Sequence, residues 1–253
     1  MKILISNDDG IYSPGLAALA EVAARFGEVR IVAPDVEQSS TSHSITATRP
    51  LSYRATPNLN HEAYRVNGTP ADCVSLGVHH WKDVDLVLSG INLGANLGNS
   101  VWHSGTLAAA KQAALLGIRG IAYSTPVTDD EPDFEAVKPW VEKTLRQLLA
   151  IPTLPLVNVN IPAQPRGICW TRQSLRHYDG RIMPQTDPMG RQHFWVAFVP
   201  VEQIEAGTDR WAVQNGHVSI TPLRLDLTDE KQLDEARTRL GCKDDGVVTT
   251  PTP

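Results

Sequence analysis

Short apolar runs alternate with stretches of helical periodicity along the first part of the chain. Residues 2–6 are a β-branched and leucine-rich run that predicts a first strand. Pro14 then stands where a helix would begin, and residues 16–26 have Ala-rich helical spacing. Residues 29–33 predict a second strand. A strand, a helix and a strand in this order are typical of a parallel β-α-β unit with a right-handed crossover.

The same alternation continues to residue 162. Helices are predicted at residues 70–81, 106–117 and 134–150, and strands at 85–89, 120–124 and 156–161. Residues 44–55 and 63–66 alternate weakly and predict a hairpin or an arm. This order of elements indicates a doubly wound α/β fold with a mainly parallel sheet over residues 1–162.

The pattern changes after Pro162. Residues 168–174, 194–201 and 218–222 predict strands without helices between them, and residues 180–192 predict an exposed turn or arm. Residues 228–240 predict a terminal helix. We therefore expect residues 163–253 to form a smaller β-rich part that is integrated with the first, and the exposed arm favours an oligomer.

Composition and charge exclude several classes of protein. The chain has 253 residues, of which 42% are hydrophobic and 20% charged, which is ordinary for a soluble globular protein. Its net charge of -5 argues against a general nucleic-acid binder, and no apolar stretch approaches a membrane span. Cys73, Cys169 and Cys242 are far apart, and the apolar run at the N-terminus is too short for a signal peptide. We expect a cytoplasmic protein with no nucleic-acid or membrane partner.

Polar loops follow three of the predicted strands, at residues 7–10, 38–40 and 90–92. Ligands of open α/β sheets bind at the carboxyl ends of the strands, so we expect these loops to converge. Their carboxylate, hydroxyl and carboxamide oxygens suit Mg²⁺ or Mn²⁺. Asp8 and Asp9 would repel each other unless a cation lies between them. The Asn-Asp-Asp-Gly motif also makes a good solvated turn, so this motif alone leaves both interpretations open.

Residues 90–106 form a long Gly- and Asn-rich segment that leads into a predicted helix. Ser104, Gly105 and Thr106 open that helix, and its free N–H groups would point toward an anion. The alternative is a structural loop with an ordinary N-cap at Ser104. The segment matches neither the Walker A motif nor G-x-G-x-x-G. His43 and His103 flank the predicted site, and either is a candidate general acid or phosphate contact, ranked below the acids.

At these residues the sequence resembles the SurE (survival protein E) family of nucleotidases. The resemblance is collinear and spans most of the chain. It rests on ILISNDDG at 3–10, VAPD at 32–35, QS at 38–39, GTPADC at 68–73, SGIN at 89–92, NLG at 96–98, SGT at 104–106 and VSITPL at 218–223. Two departures are visible, because Ala95 stands where the family often has Pro and Ser40 where it often has Gly. Neither departure falls on an expected ligand.

The resemblance implies a Rossmann-like N-terminal region and one divalent cation per subunit, Mg²⁺ or Mn²⁺. It also implies hydrolysis of nucleoside 5′- and 3′-monophosphates, with activity on short polyphosphate. The metal ligands implied by position are Asp8, Asp9, Ser39 and Asn92. The implied phosphate contacts are Asn96, Ser104, Gly105 and Thr106.

We therefore expect a divalent-metal-dependent phosphatase that acts on nucleoside monophosphates and forms a homodimer or homotetramer. In this hypothesis Asp8 or Asp9 orients the attacking water, and direct attack by an aspartate is the alternative chemistry. A different class remains open: a nucleotide-binding or sensor module that binds phosphate without catalysis. A third, an NAD-dependent dehydrogenase, lacks the glycine fingerprint.

Overall fold

The structure is a computed structural model that describes residues 1–57, 60–127, 133–176 and 178–240. The strands within these ranges are β1 (Lys2–Ser6), β2 (Glu28–Pro34), β3 (Tyr53–Ala55), β4 (Glu62–Val66), β5 (Leu86–Leu93), β6 (Arg119–Thr125), β7 (Leu156–Asn160), β8 (Gly167–Trp170), β9 (Tyr178–Thr186), β10 (Gln192–Pro200) and β11 (His217–Pro222). The helices are α1 (Pro14–Ala23), α2 (Pro70–His80), α3 (Gly105–Leu115), α4 (Phe134–Leu149), α5 (Asp209–Gln214) and α6 (Glu230–Leu240), with a short 3₁₀ helix at Gly98–Trp102.

One sheet organises the main part of the fold, with the described strands in the order β3-β4-β2-β1-β5-β6-β7-β11-β8. The pairs from β4 to β7 are all parallel, which confirms the predicted mainly parallel sheet. The chain runs from β1 outward to β2 on one side and later returns to place β5 on the other. The strand order therefore reverses between β1 and β5, where open α/β sheets bind their ligands.

Helices cover both faces of this sheet because the central strands are apolar on both sides. Ile3 and Ile5 of β1 belong to the core cluster that includes α1 and α4 residues, and Leu4 belongs to the cluster that includes α2 and α3 residues. All three side chains have no exposed surface. Strands that are buried on both faces read as continuous hydrophobic runs, which is why the sequence pattern located β1 correctly.

Two helices begin where capping residues and proline in the sequence predict a helix start. Thr69 caps α2 through a capping box with Asp72, and Pro70 occupies the first helical position. Ser104 caps α3, because its side chain accepts a hydrogen bond from the Leu107 N–H. The predicted helices therefore begin within two residues of the observed ones in both cases.

The region after Pro162 has three features that the sequence pattern did not predict. β11 pairs antiparallel with β7 and parallel with β8, so both strands extend the main sheet. β9 pairs with β10 in a separate antiparallel hairpin, whereas the sequence predicted only a turn or arm at residues 180–192. The expectation of no helix between these strands was wrong, because α5 lies between β10 and β11. α5 has only six residues, which is too short to give a clear periodic signal.

Met1–Leu223 form one compact unit, and a second unit begins at Arg224. The predicted terminal helix is confirmed as α6, which lies in the second unit. The predicted division of the chain after residue 162 stays a prediction. None of the described helices has the length and apolar character needed to cross a membrane.

Candidate active site

Three loops meet at the carboxyl ends of β1, β2 and β5. The Gln38 N–H donates a 2.7 Å hydrogen bond to the Asp8 carbonyl, which joins the loops after β1 and β2. Ser42 donates from its N–H to the His103 carbonyl and from its hydroxyl to the Trp102 carbonyl, which joins the second loop to the third. The loops after β1 and β2 thus meet as predicted, whereas residues 90–92, predicted as a loop, belong to β5, and the loop that meets the other two follows that strand.

A crevice of about 650 Å³ lies between these loops. This volume is in the usual range of small-molecule sites. The predicted site residues that line it are Asp8, Ser39, Asn92, Asn96, His103 and Ser104. Of the others, Thr106 and Gly105 lie directly against Asp8.

Asp8 is held by the first turn of α3. Only 4% of the residue is exposed, and its Oδ1 accepts a 2.7 Å hydrogen bond from the Thr106 hydroxyl. Burial raises the pKa of the Asp8 carboxyl, and the Thr106 hydrogen bond opposes that effect without overcoming it. Thr106 thus contacts the carboxylate in this structure, whereas its predicted role was a phosphate contact.

Asp9 is a carboxyl whose charge the protein does not balance. Burial and the neighbouring Asp8 raise its pKa to about 7, against a weaker opposing hydrogen bond with the Leu93 backbone. Its Oδ2 is buried and has no hydrogen-bond partner among the described residues. Among the described residues, no basic group is a cause of the pKa shift of either acid. An orphaned carboxylate oxygen beside a second buried carboxylate is the arrangement that a divalent cation fits.

These shifts predict a pH dependence for the metal-free protein. A carboxyl whose pKa is higher in the folded state contributes stability that is fully present below about pH 4 and is lost as pH rises through about 7. Between pH 5 and pH 7 the unscreened loss in the free energy of unfolding is about 2.7 kcal/mol, and the partial exposure of Asp9 reduces this loss to about 1 kcal/mol.

Asp9→Asn removes this loss. With chelator present, its free energy of unfolding should exceed that of the wild type by about 1 kcal/mol more at pH 8 than at pH 5, as measured by denaturant unfolding. An equal difference at both pH values would contradict this explanation.

Gly105 allows the N-terminus of α3 to approach Asp8. A Cβ built on Gly105 would lie 2.7 Å from the Asp8 Cβ and 2.9 Å from its Oδ2. Real Cβ atoms do not approach other atoms so closely, so only glycine fits here. The free N–H groups and the positive end of the helix dipole therefore lie next to Asp8, where Ser104 lines the crevice.

Ser39 and Asn92 each present an oxygen that suits a hard cation. The Asn92 Nδ2 donates a 2.6 Å hydrogen bond to the Gly94 carbonyl, which leaves the carboxamide oxygen as the atom available to a ligand. The Ser39 hydroxyl donates to Glu37 Oε1 at 2.6 Å. In the described ranges, no cluster of three or more His, Cys, Asp or Glu side chains could hold a metal. A site here would therefore use two carboxylates with neutral oxygens and water, as Mg²⁺ sites commonly do.

Asn96 is fixed by a buried polar network. Its backbone N–H donates to Asn160 Oδ1 at 2.8 Å, and its carbonyl accepts from the side chains of Asn158 and Asn160. Its Nδ2 donates to the Ser124 hydroxyl at 2.8 Å. Asn158 and Asn160 have no exposed surface, and the sequence analysis missed both because they lie within an otherwise apolar strand.

The two histidines have different environments. His103 is exposed and lines the crevice. His43 does not line it, and its Nε2 lies 2.9 Å from Gln112 Oε1 of α3. Of these two candidates, His103 is therefore the one placed to meet a bound ligand.

The sequence analysis missed two further parts of the site. The negative charge of Glu37 adds a small contribution to the raised pKa of both Asp8 and Asp9, so a third carboxylate lies near the two acids. Tyr178, Gly180 and Val196 of the β9–β10 hairpin line the same crevice as Asp8. The sequence pattern did not link these residues to the site, because Gly180 was predicted in an exposed arm and Val196 in a strand far along the chain from the acids.

Comparisons with known proteins assign the family. The family model described as "Survival protein SurE" matches residues 3–180 of this chain. The chain belongs to the SurE family. The protein named 5′-nucleotidase SurE 1 from Thermus thermophilus is 47% identical over 234 residues, which cover 90% of this chain and 93% of that protein. The 5′-nucleotidase SurE of Geotalea uraniireducens is 44% identical and covers 92% of this chain and 96% of its own length.

A solved SurE structure has the same fold. The crystal structure of the SurE protein from Aquifex aeolicus matches with a TM-score of 0.82 at 40% sequence identity. The match covers 94% of this chain and 99% of the Aquifex chain. The family resemblance and the Rossmann-like fold class predicted from the sequence are both confirmed.

Proposed function

We propose that this SurE-family chain is a nucleotidase, and more specifically a divalent-metal-dependent phosphomonoesterase that converts nucleoside 5′-monophosphates to nucleoside and phosphate. The names of its relatives support nucleotidase activity. The observation that carries the metal-dependent chemistry is the pair of adjacent acids with raised pKa values, Asp8 and Asp9, of which Asp8 is buried against the N-terminus of α3. Carboxylates repel a phosphate unless a cation intervenes, whereas a helix N-terminus attracts one.

One Mg²⁺ or Mn²⁺ per subunit is the proposed cofactor. Its proposed ligands are Asp8, Asp9, Ser39 and Asn92, and the orphaned Oδ2 of Asp9 is the atom that fits this assignment best. A bound cation of this kind supplies a Lewis acid that offsets the negative charge of the phosphoryl group. Glu37 would hold the Ser39 hydroxyl in place through its hydrogen bond to Ser39.

The remaining steps are assigned to side chains of this protein. Ser104 Oγ already accepts from Leu107, so its proton is free to be donated to a phosphate oxygen. Asn96 and the N–H groups at Gly105 and Thr106 would stabilise charge on the other phosphoryl oxygens. An Asp8 or Asp9 carboxylate would orient the attacking water. Among the histidines, His103 is the candidate to protonate the leaving alkoxide or to contact the phosphate, because it lines the crevice.

Phosphate release with and without chelator tests this function. The wild-type protein should release phosphate from nucleoside 5′-monophosphates with Mg²⁺ or Mn²⁺, lose that activity in EDTA and regain it when the cation is restored. The same panel should include nucleoside 3′-monophosphates and short polyphosphate, which belong to the proposed substrate range. Tight nucleotide binding without any phosphate release would instead favour the non-catalytic sensor module. Full activity in EDTA would contradict the metal dependence.

Homo-oligomerisation is proposed from the β9–β10 hairpin. Phe194, Trp195 and Val196 are consecutive in β10, and each exposes at least 60% of its surface. Successive residues of a strand point to opposite faces, so apolar side chains are exposed on both faces of this ribbon. A two-stranded ribbon is marginally stable alone, and a second copy of the chain would cover it. Sedimentation analysis should find a dimer or tetramer, and a monomer at micromolar concentration would contradict this.

A cytoplasmic location stays a prediction.

A further inference from the structure

The loop that carries the proposed phosphate contacts is anchored far along the chain. The 3₁₀ helix at Gly98–Trp102 lies between Asn96 and Ser104, both of which line the crevice. The Gly98 N–H donates a 2.9 Å hydrogen bond to Oδ2 of Asp209, which is 111 positions later in the sequence. Asp209 has no exposed surface, so this bond is shielded from water. A charged acceptor in a buried setting makes a stronger hydrogen bond than a neutral one.

The other oxygen of Asp209 ties the same carboxylate to the segment before the hairpin. Its Oδ1 accepts from the Ser174 N–H at 2.9 Å, from the Ser174 hydroxyl at 2.6 Å and from the Arg210 N–H at 2.8 Å. Both carboxylate oxygens of Asp209 therefore accept hydrogen bonds from N–H or O–H donors. In Asp209→Asn the carboxamide NH₂ would face a donor at either position, so at least one of these hydrogen bonds would be lost.

Arg210 fixes the base of the hairpin from the adjacent position. Its guanidinium donates to the carbonyls of Arg176, just before β9, and of Val201, just after β10. Only 3% of Arg210 is exposed. The β9–β10 hairpin is thus attached to Arg210, and the 3₁₀ helix that begins at Gly98 is attached to the neighbouring Asp209, both in the short helix α5.

Two more contacts lock the loop to the same region. Gln173 Nε2 donates to the Gly98 carbonyl at 2.8 Å. Asn99 Nδ2 donates to the Tyr178 carbonyl at 3.0 Å, at the start of β9. The backbone at Gly98 and Asn99 is therefore held by residues 173–209, which lie far along the chain from Asp8 and Asp9.

We propose that Asp209 is a positioning residue for the reaction, acting through the Gly98 N–H to hold Asn96 and Ser104 where they meet the phosphoryl group. This proposal rests on the proposed function. Misplacing reacting groups by about 1 Å can cost roughly 100-fold in rate. Asp8 and Asp9 are carried by a different loop, so the loss should fall on phosphate binding and turnover and leave metal binding intact.

Asp209→Asn is the test, with the affinity for Mn²⁺ and the affinity of the Mn²⁺-loaded protein for inorganic phosphate measured separately by calorimetry. We expect phosphate affinity to fall at least about tenfold and kcat/KM to fall by roughly 10- to 100-fold, with Mn²⁺ affinity within about twofold of the wild type. Parallel losses of both affinities would indicate general structural damage and would overturn the proposal. Unchanged phosphate affinity would overturn it as well.

Ser174→Ala is the matched control. It removes one hydrogen bond from the same carboxylate, but the N–H groups of Ser174 and Arg210 still hold Oδ1 in place. It should lose some stability and keep its phosphate affinity. If it loses phosphate affinity as much as Asp209→Asn does, the effect does not pass through Gly98 and the proposal fails.

If Asp209→Asn does not fold, Gln173→Met tests the same idea from the other side of Gly98. It removes the hydrogen bond to the Gly98 carbonyl and should weaken phosphate affinity by about threefold, with unchanged Mn²⁺ affinity. No change in phosphate affinity would contradict the proposal. Turnover by the wild type distinguishes failure of this proposal from failure of the proposed function. If the wild type hydrolyses nucleotides and Asp209→Asn has wild-type phosphate affinity and kinetics, only the positioning role is wrong. If the wild type has no turnover, both hypotheses are wrong.

Discussion

Asp8→Asn should lower metal-dependent kcat/KM for nucleoside monophosphates by about 1,000-fold or more while the protein stays folded. The loss of one charged ligand weakens binding of the cation that offsets the phosphoryl charge in the transition state. That offset lowers the activation free energy by several kcal/mol, and every 1.36 kcal/mol changes the rate by a factor of ten. The fold should survive because an asparagine oxygen still accepts the hydrogen bond of Thr106. Removal of a buried charge should also stabilise the metal-free protein. Phosphate release and thermal unfolding in EDTA measure the two effects.

Asp83→Asn is the matched control for this change. Asp83 is exposed, precedes β5 at the opposite edge of the sheet and has a φ of 59°, which asparagine tolerates well. Its turnover should stay within about twofold of the wild type. Turnover near normal in Asp8→Asn, measured beside this control, would remove Asp8 from the site.

Gly105→Ala should lower kcat/KM by roughly 100-fold, although alanine is the better helix former. The added methyl group would overlap Asp8, so the N-terminus of α3 must move away from the acids or Asp8 must turn. Either movement of about 1 Å separates the proposed metal ligand from the phosphate-binding amides. Kinetics on one nucleotide, with circular dichroism to follow helix content, would measure this.

Gly167→Ala shows what a glycine replacement costs elsewhere. A Cβ at Gly167 would lie 3.1 Å from Nδ1 of the His217 ring, a side-chain atom rather than a backbone atom. This variant should keep normal kinetics. If Gly105→Ala behaves as Gly167→Ala does, the close approach of α3 to Asp8 has no catalytic importance.

Much of the fold follows from local sequence pattern. β1 is buried on both faces, and α2 and α3 carry side-chain caps at Thr69 and Ser104, so each has a signal within a few residues. The sequence pattern missed β9 and α5 for different reasons. β9 contains Pro, Gly and Arg residues that weaken a strand pattern, and α5 is too short to show a period. The sequence segment at 90–105 was predicted as loop, but β5 continues through it to Leu93.

The candidate site was predictable where chemistry is concentrated in short motifs. Asp8, Asp9 and Ser104 stand next to strand or helix ends, and the topology of a doubly wound sheet places such ends together. The supporting residues could not be found in this way. Asn160 is hidden in an apolar strand, and Asp209 meets Gly98 across 111 positions, so only the three-dimensional contacts reveal them.

Anomalous diffraction from a crystal of the full chain grown with Mn²⁺ is the most direct measurement of the central claim. We predict one anomalous peak per subunit in contact with carboxylate oxygens of both Asp8 and Asp9, and no such peak in Asp8→Asn under the same conditions. A wild-type crystal with no peak there, or with the two carboxylates bonded to protein groups and turned away from each other, would contradict it.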